Sequence, residues 1–276
     1  MKKISRFIIL TPLHIIRFIL KYIIKFSSYS FNIIKWNAIP KIESSKPKLK
    51  KSISIYNIHE NIKKTGDYFL EDEYKDCYNY FKKHFYTSLI VADRYAALNY
   101  AIKKSLSNHK ENNLYLEFGV FVGKSINFTS KLLKNISIYG FDSFEGLRED
   151  WLANAHPKGT FNLNKKIPKL NPNVIPVVGW VQDTLSDFLK NNKNNEINYV
   201  YLDLDTYPST KYVLEKIKPF LKDKCVIVFD ELYNYPGWRI GEFKALTEVF
   251  DEDEYKYLCF ADEDFGAVVI EYNKKN

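Results

Sequence analysis

The sequence lacks the patterns that mark several common protein classes. Its 276 residues include three widely spaced cysteines, Cys77, Cys225 and Cys259, with no C-x-x-C pair. Such a sparse, odd set does not build a disulfide framework and is typical of reduced thiols in a cytoplasmic protein. We find no internal repeat. The length fits one α/β domain of ordinary size plus an extension.

The amino-terminal third lacks a hydrophobic run long enough to cross a membrane. Within residues 2–26, the longest stretch without a charged residue or histidine is Phe7–Leu13, whereas a spanning helix needs about 20 residues. No small-residue cleavage site follows, which disfavours a signal peptide. On a helix over residues 2–26, the basic and titratable side chains fall within an arc of roughly 140°. They are Lys2, Lys3, Arg6, His14, Arg17, Lys21 and Lys25.

Two interpretations of this amphipathic segment stay open. A basic arc opposite a broad apolar face suits a helix that lies in an anionic membrane surface. The same apolar face could instead pack on the protein body or on a second subunit. The first interpretation predicts a peripheral protein on the cytoplasmic face of a membrane, and the second is compatible with a homo-oligomer.

Charge is unevenly distributed along the chain. Residues 1–51 contain twelve Lys/Arg and one acid, a net charge of +11, so the remaining residues carry −3 of the total of +8. A slightly acidic body argues against nucleic-acid binding, which usually needs a basic face. Residues 36–66 contain Pro40, Pro47 and a Ser/Lys-rich stretch typical of a linker. We therefore divide the chain into an extension and linker over 1–66 and a domain over 67–276.

The stretch Leu114–Ser125, L-Y-L-E-F-G-V-F-V-G-K-S, predicts a buried strand, a glycine turn and the start of a helix. Gly119 and Gly123 supply backbone freedom where a side chain would collide with a ligand. Glu117 stands at the carboxyl end of the strand, where open α/β sheets bind ligands. The dinucleotide fingerprint G-x-G-x-x-G and the phosphate loop G-x-x-x-x-G-K-[ST] are both absent, so a nucleoside ligand without a pyrophosphate fits better.

Downstream, strand and helix patterns alternate. Besides the strand at 114–118, we predict strands ending at Asp142 and over Val174–Val178, Ile197–Leu202, Cys225–Phe229, Tyr255–Phe260 and Phe265–Tyr272. Helical spacing over 86–105 predicts a helix before them, and residues 67–84 are compatible with a short one. The order predicts an α/β fold with a seven-stranded, mostly parallel sheet, a reversed last strand and helices on both faces.

Acids follow four of the parallel strands: Glu117, Asp142, Asp203 with Asp205, and Asp230 with Glu231. Asp142 is placed to bond a ribose diol, although a helix-capping role is an alternative. Two acidic pairs at the ends of adjacent strands repel each other unless a cation lies between them. Oxygen ligands without a Cys/His cluster favour a hard cation such as Mg²⁺. The alternative is two solvated acidic loops.

Five motifs in order give residues 86–272 a family likeness. They are L-E-F-G-V-F-V-G-K-S, Y-G-F-D-S-F-E-G-L, G-W-V-Q-D-T-L, Y-L-D-L-D-T-Y-P-S-T and I-V-F-D-E-L-Y-N-Y-P-G-W. This region resembles a class I S-adenosylmethionine-dependent methyltransferase with a Rossmann-like fold, and more narrowly the macrocin-type sugar O-methyltransferases. Residues 1–66 lie outside the resemblance.

The resemblance implies a cofactor site and a metal site. Glu117, Gly119, Gly123 and Ser125 would surround the methionine part of S-adenosylmethionine, Asp142 would hold the ribose with Ser143 beside it, and Gln182 and Asp183 would lie near the adenine. Asp205 (or Asp203), Asp230 and Glu231 would bind Mg²⁺. The second acid of the pair is Glu where the sugar enzymes have Asp, which weakens the metal prediction.

The predicted reaction transfers a methyl group to a hydroxyl of a sugar, glycan or other small-molecule acceptor. Candidate bases are His156, whose charge can change near neutral pH, and Asp203 or Asp205. His156 could equally be an ordinary loop histidine. Alternatives are a metal-independent small-molecule methyltransferase and a non-catalytic, membrane-recruited binding protein. The N/D-P-P-Y/F motif of amino-methylation is absent.

Overall fold

The computed structural model of the protein describes residues 63–275. Six α-helices in this range are α1 (Thr65–Phe85), α2 (Arg94–Leu106), α3 (Lys124–Leu133), α4 (Val181–Asn191), α5 (Tyr207–Ile217) and α6 (Glu242–Val249). Eight strands are β1 (Leu89–Val91), β2 (Asn113–Phe118), β3 (Ile138–Asp142), β4 (Val174–Val178), β5 (Glu196–Leu202), β6 (Leu221–Tyr233), β7 (Tyr255–Ala261) and β8 (Gly266–Tyr272). The amphipathic segment 2–26 and nearly all of the linker lie outside the described residues. No helix within 63–275 has the length and apolar character needed to cross a bilayer.

These strands form one sheet in the order β1-β7-β8-β6-β5-β2-β3-β4, and of the eight described strands β8 alone runs antiparallel to its neighbours. The predicted α/β fold, with a mostly parallel sheet and a reversed last strand, is therefore confirmed. From β2 the chain moves outward through β3 and β4, and it later returns to the other side of β2 as β5. This reversal of direction opens a crevice at the carboxyl ends of β2 and β5, where open sheets of this kind bind ligands.

The sheet has eight strands where the sequence pattern suggested seven. Residues 86–105 do not form one helix, because Leu89–Val91 pair in parallel with Cys259–Ala261 as an edge strand. Asp93 then ends the strand segment and caps α2, its Oδ1 accepting a hydrogen bond from the Ala96 amide at 2.8 Å. A β-branched, apolar tripeptide before a good N-cap residue is the local signal for this break.

Strand alternation divides the core into two layers. Odd-numbered residues of β6, such as Ile227 and Phe229, join a cluster with side chains of α1, α4, α5 and α6. Even-numbered residues, such as Val226 and Val228, join a cluster with side chains of α2 and α3. Because successive side chains of a strand point to opposite faces, neighbours in sequence are separated by the sheet. Helices thus cover both faces, as predicted.

β6 extends four residues beyond its predicted end at Phe229, to Tyr233. Asp230 and Glu231 therefore belong to the strand rather than to the loop after it. The pairing of β6 with β8 shifts register between Phe229 and Tyr233, so the contacts of each acid have to be taken one by one.

Candidate functional site

A cavity of about 290 Å³ opens at the carboxyl ends of the central strands. Predicted site residues on its wall come from five separate segments of the chain. They are Gly119, Asp142, Ser143, Gln182, Asp203, Asp205, Asp230 and Glu231. Five other predicted residues are not on this wall: Glu117, Gly123, Ser125, His156 and Asp183.

Gly119 allows the strand ends to converge. Its φ is 91°, and a Cβ at this position would lie 1.7 Å from the backbone carbonyl oxygen of Asp203. The Gly119 amide donates to the Phe141 carbonyl at 2.9 Å, and the Asp203 amide donates to the Phe118 carbonyl at 2.8 Å. Only glycine fits, because the ends of β2, β3 and β5 meet here with no room for a side chain.

Asp142 fastens the turn that follows β2. Its Oδ2 accepts hydrogen bonds from the amides of Val120 (2.8 Å) and Phe121 (2.7 Å), and its Oδ1 accepts from the amide of Phe144 (2.6 Å). The carboxylate still lines the cavity, and Oδ1, which accepts a single bond from the protein, can accept one more. Asp142 can therefore hold the turn and bind one hydroxyl of a diol at the same time.

Glu117, Ser125 and Gly123 support the turn from behind the cavity wall. Ser125 Oγ donates to Glu117 Oε1 at 2.6 Å, so this hydroxyl braces the strand end rather than capping α3. Glu117 is fully buried and its Oε2 has no hydrogen-bond partner among the described residues. Burial raises the pKa of Glu117 well above its usual value. Gly123, with a φ of 77°, precedes α3 and donates to the Val120 carbonyl at 2.7 Å.

The opposite wall is built by the start of α4 and the loop after β3. Gln182 lines the cavity and accepts a hydrogen bond from Arg148 at 2.9 Å, while the Arg148 guanidinium lies 5.6 Å from the ring centre of Trp180. Asp183 is exposed in the first turn of α4. Of the two predicted adenine residues, only Gln182 reaches the cavity. The sequence analysis did not single out Arg148.

Three carboxylates converge on the acidic side of the cavity. One oxygen each of Asp203, Asp205 and Glu231 lies within 4.8 Å of the others. Glu231 is buried, its amide donates to Glu242 at 3.1 Å, and its own Oε2 has no partner within the described part of the chain. Burial, and then the charge of Asp230, raise the pKa of Asp205 to about 7. These groups need a cation or protons to share the space.

Asp230 has a different set of neighbours from the one that the sequence predicted. Its oxygens accept hydrogen bonds from the Arg94 guanidinium and the Tyr201 hydroxyl, and it is not among the three convergent carboxylates. These partners lie at the start of α2 and on β5, so the Asp230 carboxylate is turned toward the α2 side of the sheet. The sequence analysis did not single out Arg94, the first residue of α2.

His156 packs beside the cavity wall. Its ring stacks on the Trp151 ring, with the two ring centroids 5.6 Å apart. The centroid of the Phe161 ring lies 5.2 Å from that of His156. Trp151 and Phe161 line the cavity, whereas His156 does not. Of the candidate bases, Asp203 and Asp205 are on the wall and His156 is not.

We expect Gly119→Ala to unfold the carboxyl edge of the sheet. A left-handed alanine and a forced backbone shift together cost at least about 3 kcal/mol. Gly159→Ala is the matched control, because Gly159 has a similar φ of 84° but open space around its Cβ position, and it should cost about 1–2 kcal/mol. Urea denaturation measures both. If both variants lost the same free energy of unfolding, the Asp203 carbonyl would have moved aside easily for the new Cβ.

We expect Glu117→Gln to change how stability depends on pH. The folded-state pKa of Glu117 is raised, so its contribution to stability is fully present below the unfolded pKa of about 4.3 and is lost as pH rises toward the folded pKa. The glutamine of the variant cannot ionise, and its side-chain oxygen still accepts from Ser125. Measured from pH 4 to 8, the wild-type free energy of unfolding should therefore fall relative to the variant. A constant difference would contradict this.

Comparison with known proteins gives these features a family context. Residues 116–232 match a family described as "Methyltransferase domain". No curated protein gives a significant sequence match.

Two similar crystal structures are of CalS11. One, described as a calicheamicin methyltransferase, has 22% identity and a TM-score of 0.55, covering 66% of this chain and 79% of that one. The other, described as an apo TDP-rhamnose 3'-O-methyltransferase, has 23% identity and a TM-score of 0.50, covering 66% and 80%. At 22–23% sequence identity, the similarity to these two structures shows a shared fold. Residues 116–232 thus match a methyltransferase domain in sequence, and the described fold is similar to that of CalS11.

Proposed function

We propose that this protein is an S-adenosylmethionine-dependent O-methyltransferase that acts, with the help of Mg²⁺, on a hydroxyl of a sugar or glycan-type acceptor. The observation that carries the proposal is one cavity with two unlike walls. One wall has the glycine turn, Asp142 and Gln182, and the other has three convergent carboxylates. The sugar acceptor is supported by the five sequence motifs and by the TDP-rhamnose enzyme among the similar structures.

The residues present fit both bound groups. Gly119 lines the cavity at the turn, and the Asp142 carboxylate on the same wall can accept from a ribose hydroxyl. On the acidic side, Glu231 has a buried oxygen without a partner in the described chain, as expected of a hard-cation ligand. The residues that would hold Mg²⁺ are Asp203, Asp205 and Glu231. Compared with the predicted ligands, this set contains Asp203 in place of Asp230.

The chain contributes mainly positioning to this chemistry. When bound, S-adenosylmethionine supplies a methyl group on sulfur for in-line displacement, and Mg²⁺ supplies Lewis acidity toward acceptor oxygens. Asp142 and Gln182 orient the nucleoside. Trp151 and Trp180 line the same cavity and offer apolar surface to an acceptor ring, whereas Trp238 and Tyr235 are buried in the core. Asp203 is a candidate base on the wall, where it can accept the hydroxyl proton.

Partners outside the cavity remain predictions. The basic segment 2–26 is expected to bind an anionic membrane surface on the cytoplasmic side, or to pack on a second subunit. Nucleic acid is not expected as a substrate, since residues 52–276 carry a net charge of −3.

The purified full-length protein should transfer a methyl group to a sugar acceptor, detected by mass spectrometry with a panel of nucleotide sugars and glycans. EDTA should abolish turnover and Mg²⁺ should restore it. Asp205→Asn should lower turnover on the order of 10²-fold because a misplaced acceptor loses its orientation. Asp187→Asn, an exposed change on α4, is the control. Full turnover in EDTA would leave the metal-independent alternative, and no transfer to any acceptor would refute the proposal.

His156→Phe separates the candidate bases. Phenylalanine keeps the stack on Trp151, so we expect turnover to fall less than about tenfold, whereas loss of a general base typically costs about 10²–10⁴-fold. A loss in that range, with cofactor binding intact by calorimetry, would instead identify His156 as the base.

A further inference from the structure

We infer that Arg94 acts as a built-in cation that keeps Asp230 out of the metal site, so that Asp203, Asp205 and Glu231 bind the divalent ion without it. This inference concerns the metal part of the proposed function and rests on it. It departs from the ligand set that the sequence motifs implied, in which the adjacent acids Asp230 and Glu231 bind together.

The geometry of β6 separates the two acids. Asp230 accepts hydrogen bonds from Arg94, the first residue of α2, and from Tyr201, which packs in the same core layer as α2. One carboxylate oxygen of Glu231 instead lies within 4.8 Å of oxygens of Asp203 and Asp205. Their carboxylates consequently meet different neighbours. The Glu231 backbone amide bonds Glu242 at the start of α6, whereas Asp230 bonds Arg94 at the start of α2.

Asp230 has both oxygens engaged. Its side chain is 1% exposed, one oxygen accepts from the Arg94 guanidinium, and the other accepts from the Tyr201 hydroxyl. A buried carboxylate with a charged partner and a hydroxyl donor is well satisfied. Recruiting it to a divalent ion would require breaking a buried ion pair, which is strongly unfavourable. Glu231 Oε2, by contrast, is buried and has no partner among residues 63–275.

Arg94 is itself held in place. Its backbone amide donates to Glu263 Oε1 at 2.8 Å, and its Nε donates to the same oxygen at 3.3 Å. Glu263 lies in the hairpin between β7 and β8, where its carbonyl accepts from Asn234 at 2.8 Å. Asp93 caps the helix that Arg94 begins. The guanidinium thus sits on the cavity wall as part of the scaffold and not as a mobile side chain.

The charges around the site agree with this arrangement. Burial disfavours the guanidinium charge, yet the surrounding carboxylates, Asp230 foremost, raise the pKa of Arg94. It therefore stays protonated. Arg94 pairs with Asp230 and Glu263, whereas Asp203, Asp205 and Glu231 have no cationic partner among the described residues and are left for a divalent ion. In this arrangement Arg94 is a positioning residue, since it acts on the metal site through Asp230.

A double-mutant cycle of wild type, Asp230→Asn, Arg94→Met and the double variant tests the inference. Mg²⁺, and Mn²⁺ as a second probe, are titrated calorimetrically into each full-length protein without acceptor. Asp230→Asn alone should weaken binding, because it leaves the Arg94 charge unpaired beside the three carboxylates. Arg94→Met should tighten binding about tenfold or more, since it frees a carboxylate and removes a repelling charge. The double variant should return to the wild-type value.

Circular dichroism identifies any variant that fails to fold, and the double variant, which leaves neither charge unpaired, still decides the question if a single variant does not fold. Binding that weakens more than about tenfold in the double variant would overturn this inference and leave the proposed magnesium site intact, with Asp230 as a ligand. An Arg94→Met variant that folds but binds Mg²⁺ no tighter would also overturn it. No binding of either ion in any of the four proteins would refute both this inference and the magnesium part of the proposed function.

Discussion

The structure depends on placing several like charges at one buried edge of a sheet. Asp203, Asp205, Asp230 and Glu231 come from two adjacent parallel strands, whose carboxyl ends meet at the point where the strand order reverses. Carboxylates taken out of water at this spacing destabilise the fold unless cations or protons neutralise them. Arg94 neutralises Asp230. The other three carboxylates converge at the place proposed for a cation.

The backbone is adapted to the same convergence. Gly119 brings the turn after β2 against the Asp203 carbonyl, and Asp142 ties that turn to the end of β3 through three amide hydrogen bonds. The nucleoside wall and the acidic wall are therefore parts of one connected unit. Because transfer of a methyl group is largely a matter of alignment, a rigid link between the two walls is the contribution that this fold can make.

Much of this architecture could be predicted from residue patterns. The alternation of apolar runs with helical spacing predicted the parallel sheet and its reversed last strand, since both depend on local periodicity. The edge strand Leu89–Val91 was missed because three residues paired to the distant β7 leave almost no local pattern. Arg94 and Arg148 were missed for a similar reason, as each meets its partner only through the fold, 136 and 34 residues away along the chain.

The sequence by itself determined which residue types end each strand, and hence that acids, glycines and a nucleoside-sized crevice would share one edge of the sheet. The sequence did not determine which of those acids come together in one site. Asp230 and Glu231 are neighbours in the chain, and only the fold gives Asp230 the partners Arg94 and Tyr201 while Glu231 meets Asp203 and Asp205. Similarly, Glu117 and Ser125 lie within the predicted motif, but tertiary packing buries them behind the turn. Periodicity specifies the strands, whereas the direction of each side chain depends on where a strand ends and on which helix covers it.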